Sequence, residues 1–184
     1  LAMLVECSKK GYLTHVVVGL FHCAWVDWTL PRGETVSLNG TYLNDPRLMP
    51  LWDAIKVMQA HGVKVIASVG GGPYVGDYGH LLDPRQPLWY PELRRALQEH
   101  GFDGFDLDIE EDKDVVTTEN VRTFLEQLRS DFGTGFILTS APVGEALMYQ
   151  ASSVSPGIDY AELLRDGSFD WYHVQFYNSW GDLA

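Results

Sequence analysis

The stretch Gly101-Phe102-Asp103-Gly104-Phe105-Asp106-Leu107-Asp108-Ile109-Glu110-Glu111-Asp112 decides how the rest of the chain is read. From Phe105 to Glu110 apolar and acidic residues alternate strictly, and in a β-strand alternate side chains project to opposite faces. Asp106, Asp108 and Glu110 therefore share one face, and Phe105, Leu107 and Ile109 share the other. A parallel sheet covered by helices is buried on both sides, so a solvated acidic face does not account for the pattern. If the sheet closes into a barrel, the carboxylates point into its interior and Glu110, the last of the row, reaches the C-terminal mouth. Three carboxylates so close together cannot all ionise without cost. One of them is expected to hold a proton near neutral pH, which suits Glu110 to act as a general acid.

Working outward, strand-like and helix-like segments alternate along the chain, the signature of an α/β fold built of βα units around a parallel sheet. Residues 14–21, 64–69, 104–109, 136–140 and 171–177 are short runs rich in β-branched and aromatic residues and read as strands. Asp45 caps a predicted helix with Pro46 at its first position, and Gly62 stops it. Pro91 opens a second helix ending at Gly101, and Val121, Phe124, Leu125 and Leu128 form an i, i+3, i+4, i+7 stripe on a third between Thr118 and Gly133. The connections 22–45 and 70–90 follow strands directly and far exceed the usual length of about two to six residues. Long loops after strands are where α/β folds place their sites. No repeat, low-complexity tract or linker interrupts residues 1–184, which read as a single domain.

Composition narrows the function. Thirteen Lys and Arg against 25 Asp and Glu give a net charge of −12 over 184 residues. There is no basic stripe to neutralise phosphates, which argues against nucleic acid and anionic membranes as partners. No apolar run is long enough to span a bilayer. Cys7 and Cys23 make no disulfide framework and match no zinc pattern, and they read as buried thiols. The first residues read as a helix and not as a targeting segment, so location has to be argued from function. The triplet Asn39-Gly40-Thr41 is a glycosylation sequon of little weight.

Carboxylates at alternate strand positions could also hold Mg²⁺ for phosphoryl transfer. That reading lacks a phosphate-binding partner: the glycines of Ser68-Val69-Gly70-Gly71-Gly72 do not fit G-x-G-x-x-G, and no Gly-Lys-Ser/Thr is present. No metal and no cofactor is expected. Trp25, Trp28, Tyr74, Tyr78, Trp89 and Trp180 fall in or beside the post-strand loops, where an exposed ring could stack on a sugar and a buried one would only pack. Trp25 and Trp180 closely follow strand ends and are the better candidates. His22 and His173 read as interior histidines, and Gly104 as a site of close packing.

These residues resemble glycoside hydrolase family 18, the family of chitinases and endo-β-N-acetylglucosaminidases. Asp103-Gly-Phe-Asp106-Leu-Asp108-Ile-Glu110 is similar to its D-x-x-D-x-D-x-E signature at every acidic position. Ser68-Val69-Gly70-Gly71 resembles the S-x-G-G motif ending the third barrel strand, and Val174-Gln175-Phe176-Tyr177-Asn178 the strand-six motif of the compact plant class III and fungal-type chitinases. Ala141-Pro142 after the fifth strand fits as well.

The resemblance implies a (β/α)8 TIM barrel and a retaining, substrate-assisted mechanism. Glu110 would protonate the glycosidic oxygen, and the sugar's own 2-acetamido oxygen would attack the anomeric carbon. Glu110 would then activate water as a base. Asp108 would orient the acetamido N–H, Asp106 would share a proton with Asp108, and Tyr177 would donate its hydroxyl to the acetamido oxygen. Gln175 and Asn178 would line the same wall, with Gly70 and Gly71 keeping the mouth open and Trp25 and Trp180 offering stacking surfaces. Asp103, of opposite parity to the acidic row, reads as a backbone anchor at the strand entrance.

A complete barrel takes about 250 residues, and the five strands correspond to strands two to six. The expectation is therefore a domain truncated at both ends, with two open sheet edges, either a fragment of a larger protein or a piece that a partner chain or a swapped segment completes. The leading expectation is hydrolysis of β-1,4 N-acetylglucosamine linkages in chitin or its oligosaccharides. The alternatives are a chitin- or glycan-binding lectin on the same fold and an endo-β-N-acetylglucosaminidase acting on N-glycans. A secreted location follows from where the polymer is found.

Overall fold

The computed structural model describes residues 1–23, 36–71, 77–83, 89–110, 114–148 and 157–177. Five parallel strands form the body of the sheet: β1 (His15–His22), then β4 (Lys64–Gly70), β5 (Gly104–Asp108), β6 (Ile137–Ser140) and β7 (Trp171–Tyr172), adjacent in that order. Helix α1 (Ala2–Lys9) precedes β1, helices α2 (Met49–Ala60), α4 (Trp89–His100), α5 (Thr118–Phe132) and α7 (Tyr160–Arg165) intervene between the strands, and the short α3 (Asp77–Leu81) and α6 (Gly144–Met148) follow β4 and β6.

The alternation read from the sequence is realised as two differently populated faces. Phe105, Leu107 and Ile109 are almost fully buried, together with Val65, Ala67 and Val69 of β4, against Ile55 and Met58 of α2, Leu93 and Leu97 of α4 and the stripe Val121, Phe124, Leu125, Leu128 of α5. Each such side chain contributes roughly 1.5–3 kcal/mol by leaving water. The opposite face carries Ser68, Asp106 and Thr139, which are paired in register across β4, β5 and β6. At the bottom of that face Gly104 lies under Ile137: a Cβ there would sit 2.5 Å from the Ile137 carbonyl oxygen.

Several boundaries differ from the sequence reading for local reasons. The connection after β1 contains a hairpin, β2 (Ser37–Leu38) and β3 (Thr41–Tyr42), turned by Asn39 (φ 48°) and Gly40 (φ 71°). Both turn residues have the positive φ that a two-residue hairpin requires. The Asn39 carboxamide also accepts from the Leu20 N–H (3.0 Å) and donates to the Gly19 carbonyl (3.1 Å). The hairpin pairs antiparallel with β1 at Phe21 and His22, so that end of the sheet edge is covered, where the sequence suggested a wholly open one. Asp45 does cap, its Oδ1 accepting from the Arg47 N–H at 2.8 Å, but the first turn is a 3-10 turn (Pro46–Leu48) that leads into α2. α4 begins at Trp89, two residues before Pro91, because a proline in a first turn removes only an N–H that has no helical partner. β7 ends at Tyr172, and the chain rejoins β6's extension only at Gln175, which bridges Val143.

Two further expectations are corrected. His173 is exposed, its Nε2 accepting from the Trp171 indole N–H at 3.1 Å, because β7 is the outermost described strand. Cys23 is buried, but Cys7 on α1 is only half-buried.

Candidate active site

The site rises in steps along the inner face of β5. In the lowest step Asp106, 3% exposed, receives a hydroxyl on each oxygen: Ser68 Oγ donates to Oδ2 (2.9 Å) and Thr139 Oγ1 to Oδ1 (2.6 Å). One residue pair higher stands Asp108. Gln175 Nε2 donates to Asp108 Oδ1 (2.8 Å) and to the Ala141 carbonyl (2.7 Å), and lies 3.4 Å from Glu110 Oε1. The Tyr177 hydroxyl donates to Gln175 Oε1. One amide thus ties the two upper carboxylates to the chain after β7, and Tyr177, 56% exposed, stands at the open rim.

Asp108 sits in the middle of this row. Burial, then the charges of Glu110 and Asp106 on either side of it, push it from an ordinary 3.8 up to about 7. The middle member of the row is repelled from both sides and partly shielded from water, and both effects favour its protonated form. Burial, then the charges of Asp108 and Glu110, push the Tyr177 phenol above its ordinary value. The resemblance implies a proton shared between Asp106 and Asp108; here both Asp106 oxygens serve hydroxyl donors, and Asp106 acts on Asp108 through its charge.

The glycines close the other wall. Gly70 (φ +91°) is paired with Asp108 across the sheet, and a Cβ on it would meet the Asp108 carbonyl oxygen at 2.4 Å. Gly71 (φ +84°) donates its N–H to that carbonyl oxygen (2.9 Å), and its Cβ would lie 2.6 Å from Asp108 Oδ2. Both positions exclude a side chain, by contact and by backbone conformation.

The family model for glycosyl hydrolases family 18 matches residues 6–183. The chain belongs to glycosyl hydrolase family 18. It is 31% identical over 192 residues to Chitinase 2 of Rhizopus oligosporus, covering 97% of this chain and 33% of that protein. A fungal endo-β-N-acetylglucosaminidase of the same family superimposes with a TM-score of 0.77 at 33% identity, over 92% of this chain and 58% of that one. The chitinase ChiC of Aspergillus fumigatus gives 0.78 at 31% identity, over 91% and 58%. The chain therefore spans a third of the length of the curated relative and somewhat over half of these two structures. Its five parallel strands are part of a (β/α)8 barrel, as the sequence suggested.

Within this family-18 chain the structure brings Asp106, Asp108, Glu110, Gln175, Tyr177, Gly70 and Gly71 together. Trp25, Trp28, Tyr74, Asn178 and Trp180 lie outside the described residues. Tyr78 is fully buried with its hydroxyl on the Val69 carbonyl (2.6 Å) and offers no free face to a sugar, and Trp89 is a half-buried helix residue packed against the core. Asp103 anchors the foot of β5: its Oδ2 accepts from the Val65 N–H (2.9 Å) and Gln59 Nε2 (2.9 Å), and its Oδ1 from Lys64 Nζ (2.8 Å). Sequence reasoning did not single out Thr139 or give Ser68 a role of its own. Their signal was present as the hydroxyl residues that share the inward parity of the acidic row on the neighbouring strands. Among the described residues, no group of three or more His, Cys, Asp and Glu is arranged to hold a metal ion.

Proposed function

We propose that the chain carries the catalytic carboxylates of a retaining glycosidase that cleaves β-1,4 linkages between N-acetylglucosamine units, as in chitin and its oligosaccharides. The observation that supports this best is the pairing of Asp108 with Glu110 through one Gln175 amide, with Asp108 pushed toward its protonated form by burial and by its neighbours. Glu110, at the rim, is placed to give a proton to a glycosidic oxygen and to take one from water afterwards. Protonated Asp108 provides an O–H beside it. On attack by the substrate's acetamido oxygen at the anomeric carbon, the bond to the departing sugar breaks and the Asp108 proton passes through Glu110 to the glycosidic oxygen, leaving both carboxylates ionised: Asp108 stabilises the positive charge on the acetamido group and Glu110 is free to take a proton from water. The Tyr177 hydroxyl, which rests on Gln175, is the donor for the acetamido oxygen in this reading. A polymeric substrate outside the cell makes secretion part of the same proposal.

The likeness to an endo-β-N-acetylglucosaminidase favours a second reading, cleavage within the core of N-linked glycans by the same carboxylates. Both are tested by releasing a fluorophore from N-acetylglucosamine oligomer glycosides and a mannose chain from an N-glycopeptide. The protein used is the longest natural polypeptide containing these residues, alongside its Glu110→Gln variant. Oligomer hydrolysis lost in the variant is the expected result. Glycopeptide cleavage alone would favour the second reading, and binding without hydrolysis in the folded parent would overturn both in favour of a lectin.

A further inference from the structure

Tyr78 lies in α3, outside every motif used so far, yet it is among the most buried large side chains described. Its position is specific. The hydroxyl donates to the carbonyl of Val69, the residue just before Gly70. The ring edge lies where a Gly70 side chain would be, since a Cβ there would meet Tyr78 Cε2 at 2.5 Å and its hydroxyl at 2.6 Å. The same hypothetical Cβ would meet the Asp108 carbonyl oxygen at 2.4 Å. The tyrosine edge and the Asp108 backbone thus converge on a single glycine. One residue on, the Gly71 N–H is bonded to that Asp108 carbonyl, and Gly71 borders the Asp108 carboxylate.

We propose that Tyr78 is a positioning residue for Asp108: by holding the Val69 carbonyl and wedging Gly70, it fixes the Gly70–Gly71 segment against the backbone and carboxylate of Asp108. The inference rests on the glycosidase reading only for its consequence, since Asp108 acts there through the placement of one proton. A site of this kind holds its groups to within about 0.5 Å by packing behind them, and Tyr78 supplies that packing on the β4 side, as Gln175 does on the β7 side. The ring touches no reacting group; it acts through two backbone carbonyls and a glycine.

The test compares the chain with Tyr78→Phe, which keeps the ring and removes the hydroxyl. Tyr172→Phe is the matched control, because Tyr172 makes the same kind of bond, hydroxyl to the Tyr160 carbonyl at 2.6 Å, at the α7–β7 join. Two backbone amides flank the end of β5, Gly71 N–H on the Asp108 carbonyl and Ala141 N–H on the Leu107 carbonyl. In Tyr78→Phe the Gly71 amide is expected to exchange about tenfold faster, the size of one lost hydrogen bond, with Ala141 unchanged. The Asp108 carboxyl, followed by carbon-detected NMR and assigned with Asp108→Asn, is expected to titrate at lower pH as water gains access. The groups facing it, Asp106 and Glu110 on its own strand and Tyr177 and Gln175 beyond β7, are the same in every variant compared. Tyr172→Phe is expected to move neither readout. Equal acceleration at Gly71 and Ala141, an unchanged Gly71 rate or an unmoved Asp108 titration would each overturn the proposal. Neither readout needs turnover, so an inactive protein showing the expected pattern would count against the glycosidase reading alone.

Discussion

Replacing Asp108 with Asn should make the protein more stable at slightly alkaline pH while removing the function proposed for it. Asp108 is raised from 3.8 to about 7 by burial and by the flanking carboxylates. A group whose native value lies above its unfolded one binds more protons in the native state between those two values, so its contribution to stability falls as pH rises from about 4 to about 7 and stays low above that. At ~1.36 kcal/mol per pH unit the difference is ~4 kcal/mol. Asp108 is not fully buried, and screening by water reduces the figure to about 2–3 kcal/mol. Asparagine keeps the shape, its oxygen accepting from Gln175 Nε2 and its NH₂ facing Glu110, but carries no charge. Urea unfolding of both proteins at pH 4 and pH 8 isolates the effect, because every other titrating group is common to the pair. The variant should match the parent at pH 4 and exceed it by about 2–3 kcal/mol at pH 8, or about 4–12 °C in melting temperature for a chain of this size. Equal stabilities at pH 8, or a variant that is less stable there, would refute the argument that Asp108 is held against its own ionisation.

Two further outcomes follow from the geometry. Gly71→Ala forces a side chain into φ +84° and to 2.6 Å from Asp108 Oδ2; a loss of about 1–2 kcal/mol from the backbone conformation should be accompanied by a drop in the Asp108 titration as its carboxylate swings away, both measurable by urea unfolding and NMR. Asp103→Ala removes the partner of the Val65 N–H, Gln59 and Lys64; burial pushes this carboxyl up, but those three donors outweigh it and hold it below 3.8. Its stabilisation is therefore present above pH 4 and lost as pH falls through the native value. The variant should be about 1–3 kcal/mol less stable at pH 7 and should converge on the parent in acid.

What the sequence made legible was whatever a single strand's parity encodes. The row from Phe105 to Glu110 specified two faces, and both exist because register is fixed by burying the apolar one. The hairpin at Asn39-Gly40 was equally readable in principle, since Asn-Gly between short β-prone pairs is the strongest short hairpin signal; read as a sequon, it hid two strands of the sheet. The short helices α3, α6 and α7 were not legible. With five or six residues each, they are too brief for periodicity to build up and are held by tertiary contacts instead.

The site divides along the same line. Strand parity placed the three carboxylates together, but which of them holds the proton depends on neighbours from other elements. Asp106 has hydroxyls from β4 and β6 on both oxygens, while Asp108 has an amide from beyond β7 on one side and two glycines on the other. Only the middle position is flanked by charge on both sides and bordered by Gly70 and Gly71. A repeating D-x-D-x-E carries no trace of that difference, because all three residues share one face and one spacing. In the proposed mechanism the asymmetry within this row of like charges is built by what packs against each of them, and Tyr78, buried behind the glycines and absent from every motif, is proposed to be part of that packing.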